Sequence, residues 1–114
     1  MLVDVDFKDA GHISCASFGD WCWYSVGSID DDFSNQGPWR PYKSEILAVN
    51  VLSGEVRRLA HHRSRGVNSQ YFGYPRVSAS WDGTKAFWAS NYGYNAGGAG
   101  YSDIYTTTLT GGRR

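Results

Sequence analysis

The side chains with chemistry to offer gather in a few polar stretches. Three histidines occur, His12, His61 and His62. The last two stand side by side ahead of Arg63 and Arg65, and Gln70, Tyr71, Tyr74 and Arg76 follow in the same stretch. An earlier stretch holds Trp39, Arg40 and Tyr42, and Asn91 opens a later, glycine-rich one. Aromatic rings interleaved with arginine and asparagine suit a saccharide, above all an acidic one. Rings stack on sugar faces, and a guanidinium pairs a carboxylate through two parallel hydrogen bonds. The predicted ligand-binding set is His12, Trp39, Arg40, His61, His62, Arg63, Gln70, Tyr74, Arg76 and Asn91. The competing reading is an ordinary loop surface whose aromatics pack against the loops themselves.

Other motifs point away from catalysis. The serines fall inside strands or turns without a GxSxG context, and no nucleophile–base pair is visible. His61 and His62 are neighbours in an extended run, so at most one of them faces any one site. The expectation is one packed and one solvated histidine. Asp30-Asp31-Asp32 lacks the alternating ligands and closing glutamate of a calcium loop and reads as a solvated acidic loop. The run from Asn91 to Gly100 is glycine-rich, but it has no GxxxxGK[ST] and lies between strands, so it is not a phosphate loop. Cys15 and Cys22 are not spaced as CxxC and have no second pair, which argues against a metal site. A two-residue turn at Gly19-Asp20 would set them diagonally across a hairpin, marginal for a disulfide, and the expected state is two buried thiols.

The elements that carry these residues read as strands throughout. No stretch shows apolar residues at helical spacing over three turns. Alternating runs rich in valine, isoleucine, tyrosine, tryptophan and threonine cover Leu2 to Phe7, His12 to Phe18, Trp21 to Val26, Glu45 to Val51, Glu55 to His61, Arg76 to Trp81, Lys85 to Ser90 and Ser102 to Leu109. Ser53-Gly54 and Asp82-Gly83 are tight-turn pairs between such runs.

These runs repeat. Ile13-Ser-Cys-Ala-Ser-Phe-Gly19 aligns without a gap on Val77-Ser-Ala-Ser-Trp-Asp-Gly83, and the same register carries Cys22-Trp-Tyr-Ser25 onto Ala86-Phe-Trp-Ala89. Ser44-Glu-Ile-Leu47 matches Ser102-Asp-Ile-Tyr105, and Leu52-Ser-Gly54 answers Leu109-Thr-Gly111. Each unit is strand, tight turn, strand, long loop, strand, tight turn, strand. That is the meander of a β-propeller blade. The expected fold is all-β: two tandem four-stranded antiparallel β-propeller blades in one domain over residues 1–114. Blade one covers about 12–61 and blade two about 76–109, with the last strand of blade two supplied by 2–7. A β-sandwich is the alternative. Two blades cannot close a ring, so the chain either forms a homo-oligomeric ring or belongs with the remaining blades of a longer propeller. Trp23 and Trp88 are the aromatics expected between blades. All the long loops fall at one end of the strands, which is where the predicted ligand set lies.

The segment Ser44 to Ser90 carries a family likeness. Glu45-Ile-Leu-Ala-Val-Asn-Val, continuing through Ser-Gly-Glu-Val-Arg-Arg-Leu-Ala-His-His-Arg-Ser64, resembles a hairpin of TolB-like and oligogalacturonate-lyase-like propellers. Pro75-Arg-Val-Ser-Ala-Ser-Trp-Asp-Gly-Thr-Lys-Ala-Phe-Trp-Ala-Ser-Asn91 is similar to their next hairpin, and Gly11-His-Ile-Ser14 to the entry of the preceding blade. The resemblance implies a late pair of blades in a propeller of periplasmic or secreted type. It also implies a divalent metal held near the axis by histidines, yet Tyr74 and Arg76 stand where the family has a His-Pro-His signature. The expected cofactor is therefore none, and a metal-dependent lyase fragment is the alternative function.

Composition sets the remaining bounds. Lys+Arg and Asp+Glu are both 11, so no net charge draws the chain to nucleic acid or an anionic membrane. No apolar run is long enough to be a transmembrane helix. Met1-Leu-Val-Asp-Val-Asp-Phe7 lacks the basic flank and apolar core of a signal peptide, so either the chain stays in the cytoplasm or any export signal lies outside it. The function expected is a non-catalytic propeller segment that self-associates and presents a loop face to a saccharide or a partner. A purely structural assembly is the third reading.

Overall fold

Alternating side chains in short runs settle into two antiparallel sheets. The computed structural model of the chain describes residues 9–16, 18–66, 73–95 and 102–109. Strands β1 (Asp9–Cys15), β2 (Trp21–Ser28), β3 (Glu45–Asn50) and β4 (Val56–His61) form the first sheet, in that order. Strands β5 (Ser78–Ala79), β6 (Lys85–Ser90) and β7 (Asp103–Thr108) form the second. No α-helix occurs among the described residues. The expected strand at Leu2 to Phe7 lies outside the described residues.

The repeat seen in the sequence is also a repeat of pairing. Ser14 faces Trp23 in the first sheet, and Ser78 faces Phe87 in the second. Cys15 faces Cys22, and Ala79 faces Ala86. Tyr24 faces Leu47, as Trp88 faces Tyr105, and Ser25 faces Ile46, as Ala89 faces Ile104. Because a slip of one residue would turn every side chain to the other face, this shared register gives the two sheets equivalent faces.

The sheets pack through non-equivalent faces. Trp23, Ile46 and Ala48 of the first sheet meet Val77, Ala86 and Trp88 of the second in one buried cluster. By the pairing register, the repeat partners of Trp23 and Ile46 are Phe87 and Ile104, on the far side of the second sheet. Fully burying side chains of this size contributes roughly 1.5–3 kcal/mol each. Polar bonds fix the alignment. The Trp23 indole Nε1–H donates to the Gly83 carbonyl at 2.9 Å, Ser25 Oγ accepts from Val77 N at 3.3 Å and Ser14 Oγ accepts from Ala79 N at 2.9 Å. Gly83 has a left-handed backbone, φ 78°, and a Cβ there would lie 2.8 Å from that of Ala16. Only glycine both makes the turn and lets the strands approach. Trp23 and Trp88 thus lie between sheets as expected, but inside one chain.

Three expectations change. The strand expected over His12 to Phe18 runs instead over Asp9–Cys15, because the chain already bends at Phe18. The strand expected over Arg76 to Trp81 shortens to Ser78–Ala79: Arg76 takes a positive φ of 44° and leaves the extended region, and at the other end Ser80 and Trp81 enter the turn closed by the Gly83 N–H on the Ser80 carbonyl. Cys15 and Cys22 form a disulfide. The hairpin closes at Ala16 and Trp21, through a backbone bond of 3.2 Å, and not at the two-residue turn expected around Gly19-Asp20. The cysteines then stand directly opposite, with Cα atoms 4.0 Å apart, in the non-hydrogen-bonded position where opposed side chains come closest.

Two measurements check this packing. Trp23→Ala should lower the unfolding free energy in urea by about 3–5 kcal/mol. Trp23→Phe should cost about 1–3 kcal/mol, much of it from the Gly83 carbonyl left without a donor. Alkylation followed by mass spectrometry should label both cysteines only after reduction, and Cys15→Ser with Cys22→Ser should lower stability by about 2–3 kcal/mol, as expected for a short closed loop.

Candidate functional site

The strands β1 to β4 run so that the start of β1, the end of β2, the start of β3 and the end of β4 share one end. The loop 29–44 and the described residues 62–66, 73–77, 91–95 and 102 lie there. All five non-glycine residues with positive φ among the described residues, Tyr42, Ser44, Arg63, Arg76 and Tyr92, belong to these loops. Each such backbone costs on the order of 1–3 kcal/mol and persists only where its surroundings hold it. Among the described residues the opposite end, built from short turns, has none.

The loop 29–44 is held by buried charge. Asp9, at the start of β1, accepts from Arg40 Nη2 at 2.6 Å and Nε at 3.2 Å. Arg40 Nη1 donates to Asp30 at 2.9 Å, and Lys43 Nζ to the same carboxylate at 3.1 Å. Ser28 also donates to Asp30. The Arg40 bond, then the Ser28 bond, hold the Asp30 carboxyl well below the usual range, and Asp9 followed by Asp30 raises the Arg40 guanidinium. Lys43 Nζ donates further to the carbonyls of Gln36 and Pro38. Asp31 is buried and pairs with Arg65 at 2.8 Å. Asp32 accepts from the backbone N–H groups of Ser34 and Asn35. The acidic triplet expected to be solvated is instead a set of loop anchors. Among the described residues no group of three or more His, Cys, Asp or Glu side chains is placed to hold a metal ion.

The other polar residues of this end stitch the sheets together. A register shift between Ile46 and Leu47 lets both Leu59 and Ala60 pack on the core. His61 then points to solvent and His62 inward. His62 is fully buried: its Nε2 lies 2.8 Å from the Val26 carbonyl, and its Nδ1 accepts from Ser64 N at 3.0 Å. The partners assign a neutral ring with the proton on Nε2. Burial lowers its pKa from 6.5 to about 4, against an opposing pull from the Val26 carbonyl. Asn91 is also consumed: its Oδ1 accepts from Arg65 N at 3.0 Å and Gly93 N at 2.9 Å, and its Nδ2 donates to the Arg65 carbonyl at 2.8 Å.

What remains is a cleft of about 400 Å³ between the two loops, with Trp39, Lys43, His61, Arg63 and Arg65 in its lining, alongside Gln36, Gly37, Pro38, Ser44 and Ser64. Trp39 is 73% exposed. Among the described residues the side chains of Trp39, His61 and Arg63 make no hydrogen bond or ion pair, whereas Lys43 and Arg65 are neutralised by Asp30 and Asp31. Of the predicted ligand set, the structure therefore brings together Trp39, His61 and Arg63. Arg40, His62 and Asn91 serve the fold. His12 is exposed on β1 and does not line the cleft. Arg76 stacks over the Tyr74 ring at 6.0 Å, away from it. Gln70 and Tyr71 lie outside the described residues.

Sequence reasoning passed over Gln36, Lys43 and Ser44, for which no motif gives a signal. It also passed over an aromatic pair at the opposite end: Phe18 and Trp81 stack in the open with centroids 5.2 Å apart. No family model, no curated protein and no solved structure matches the chain.

His62 gives a direct test. Its imidazole nitrogens should report the neutral Nε2–H form by NMR at pH 7 and keep it down to about pH 5. In the unfolded chain the ring takes a proton near pH 6.5, while the folded ring resists until about 4. Stability should therefore hold above pH 7 and fall, by about 3 kcal/mol, as pH drops through that interval. A ring that titrates near 6.5 in the folded protein would contradict the assignment.

Proposed function

We propose that this chain is a two-blade unit of β-propeller type that works as a non-catalytic binding module, with the loop-end cleft as its site and an acidic saccharide as its ligand. The observation that carries the reading is the contrast inside one set of loops. Among the described residues most charged side chains there are paired within the fold, yet Trp39, His61 and Arg63 line one cleft without a hydrogen-bond or ion-pair partner. An exposed indole offers a flat apolar face for a pyranose ring, and an unpaired guanidinium offers two parallel donors to a carboxylate. A uronate presents both features on one residue. The strained backbone at Ser44 and Arg63, both in the lining, is consistent with a wall held in place for a ligand.

Propeller blades supply the frame in this reading. Its support is the identical pairing register of the two sheets and their packing through non-equivalent faces, which is how successive blades meet. The non-catalytic reading is supported by Tyr74 and Arg76, which occupy the positions of the expected metal-binding histidines and pack on each other. The Cys15–Cys22 disulfide supports an oxidising compartment as the working place.

Calorimetry with trigalacturonate, its methyl ester and neutral cellotriose tests the site. Trigalacturonate should bind the most tightly. Trp39→Ala, at an exposed position, should leave stability unchanged and weaken binding of acid and ester alike by about tenfold or more. Arg63→Gln should lower affinity for the acid by about 10–100-fold and leave the ester unaffected, as expected for loss of a charge-assisted pair. Equal affinity for acid and neutral sugars, or binding indifferent to Trp39→Ala, would refute the proposal.

A further inference from the structure

The two outer faces of the molecule are repeat copies of the two faces buried at its centre. In the central interface Trp23 and Ile46 are fully buried against the face that carries Val77, which is 5% exposed. Phe87 and Ile104 occupy the positions of Trp23 and Ile46 in the second sheet, and they are 44% and 69% exposed. Ile13 occupies the position of Val77 in the first sheet and is 68% exposed. Leu47 and Val49, farther across that outer face, are already covered, so the part of it left open is the β1 side, around Ile13 and Cys15. This is also the side on which β1 and β5 approach each other in the central interface.

We infer that the Phe87–Ile104 face of one copy of this chain docks on the Ile13 face of a second copy, in the register of the chain's own central interface. It rests on reading the sheets as repeated blades, and it needs no ligand. The occupant follows from continuity with the central interface. A face with the pairing register of the Trp23–Ile46 face is complementary to a face with the register of the Val77–Trp88 face, and the chain exposes the first around Phe87 and Ile104 and the β1 side of the second around Ile13 and Cys15. Phe87, in the place of Trp23, lacks the indole N–H and asks no carbonyl of the partner. The partner's matching turn carries Gly19, φ 115°, where the central interface has Gly83. Balanced charge, 11 basic against 11 acidic residues, leaves no net repulsion between copies. A contact between unlike faces is heterologous, so it propagates until the rotation closes. With two sheets per chain and rings of about 4–8 blades, closure takes about two to four copies.

The experiment is light scattering and sedimentation on three proteins: the wild-type chain, Ile13→Glu, and Phe87→Glu with Ile104→Lys. All three substitutions are at exposed positions, and circular dichroism and urea unfolding report whether each variant keeps the fold. The wild-type chain should form a closed oligomer of about two to four copies. Each variant alone should be monomeric, because every heterologous contact uses both faces. Mixed one to one, the variants should form a heterodimer and nothing larger, since each keeps the face the other has lost. A wild-type chain that is monomeric at millimolar concentration overturns the inference. So does an Ile13→Glu chain that still associates, which would mean a like-with-like contact. The saccharide cleft lies within one chain, so trigalacturonate binding by the monomeric variants, read separately, tells a failure of this inference from a failure of the proposed site.

Discussion

Trp23 fills the space between the two sheets and gives its only polar hydrogen to the carbonyl of Gly83. The contact joins an apolar surface, which is indifferent to position, to a hydrogen bond, which is not. Sliding either sheet by one residue would bury an unpaired indole N–H and an unpaired carbonyl, each a penalty of about 1–3 kcal/mol. The serine hydroxyls of Ser14 and Ser25 repeat the same logic along the edge, where the short strand β5 needs donors and acceptors beyond those of its own sheet. The alignment of the loops above follows from that alignment of the sheets below.

At the loop end the protein uses polar groups as structure. His62, Ser64, Ser90 and Asn91 bond to one another and to the backbone, and among the described residues no buried side-chain nitrogen or oxygen is left without a partner. Such a network stabilises only when complete, because a half-satisfied one leaves desolvated groups unpaired. This explains why a region that looks from its composition like a binding surface is mostly scaffold. Those side chains hold the loops together.

Much of the architecture was legible in the sequence. Most strand positions and the repeat follow from period-two alternation and turn residues, which act locally, and among the described residues no helix occurs. That one of His61 and His62 is packed and the other solvated was legible for the same reason. The disulfide was not, because a hairpin's register depends on where the turn closes, and Gly19-Asp20 resembled a two-residue turn while the backbone closes at Ala16 and Trp21. Nor could the sequence separate Arg40 from Arg63. Both are arginines in polar loops, Arg40 beside Trp39 and Arg63 beside His62. One is consumed by Asp9, distant along the chain, and the other is not, a difference made by tertiary contact alone.

The anchors of the loop 29–44 flank one residue. Lys43 holds the carbonyls of Gln36 and Pro38, and Arg40 is locked to Asp9 and Asp30, so the backbone on both sides of Trp39 is secured while its ring bears no load. A position of that kind is decoupled from folding. A single substitution there can change the chemistry of the exposed surface while the anchored scaffold stays as it was, with little loss of stability to offset.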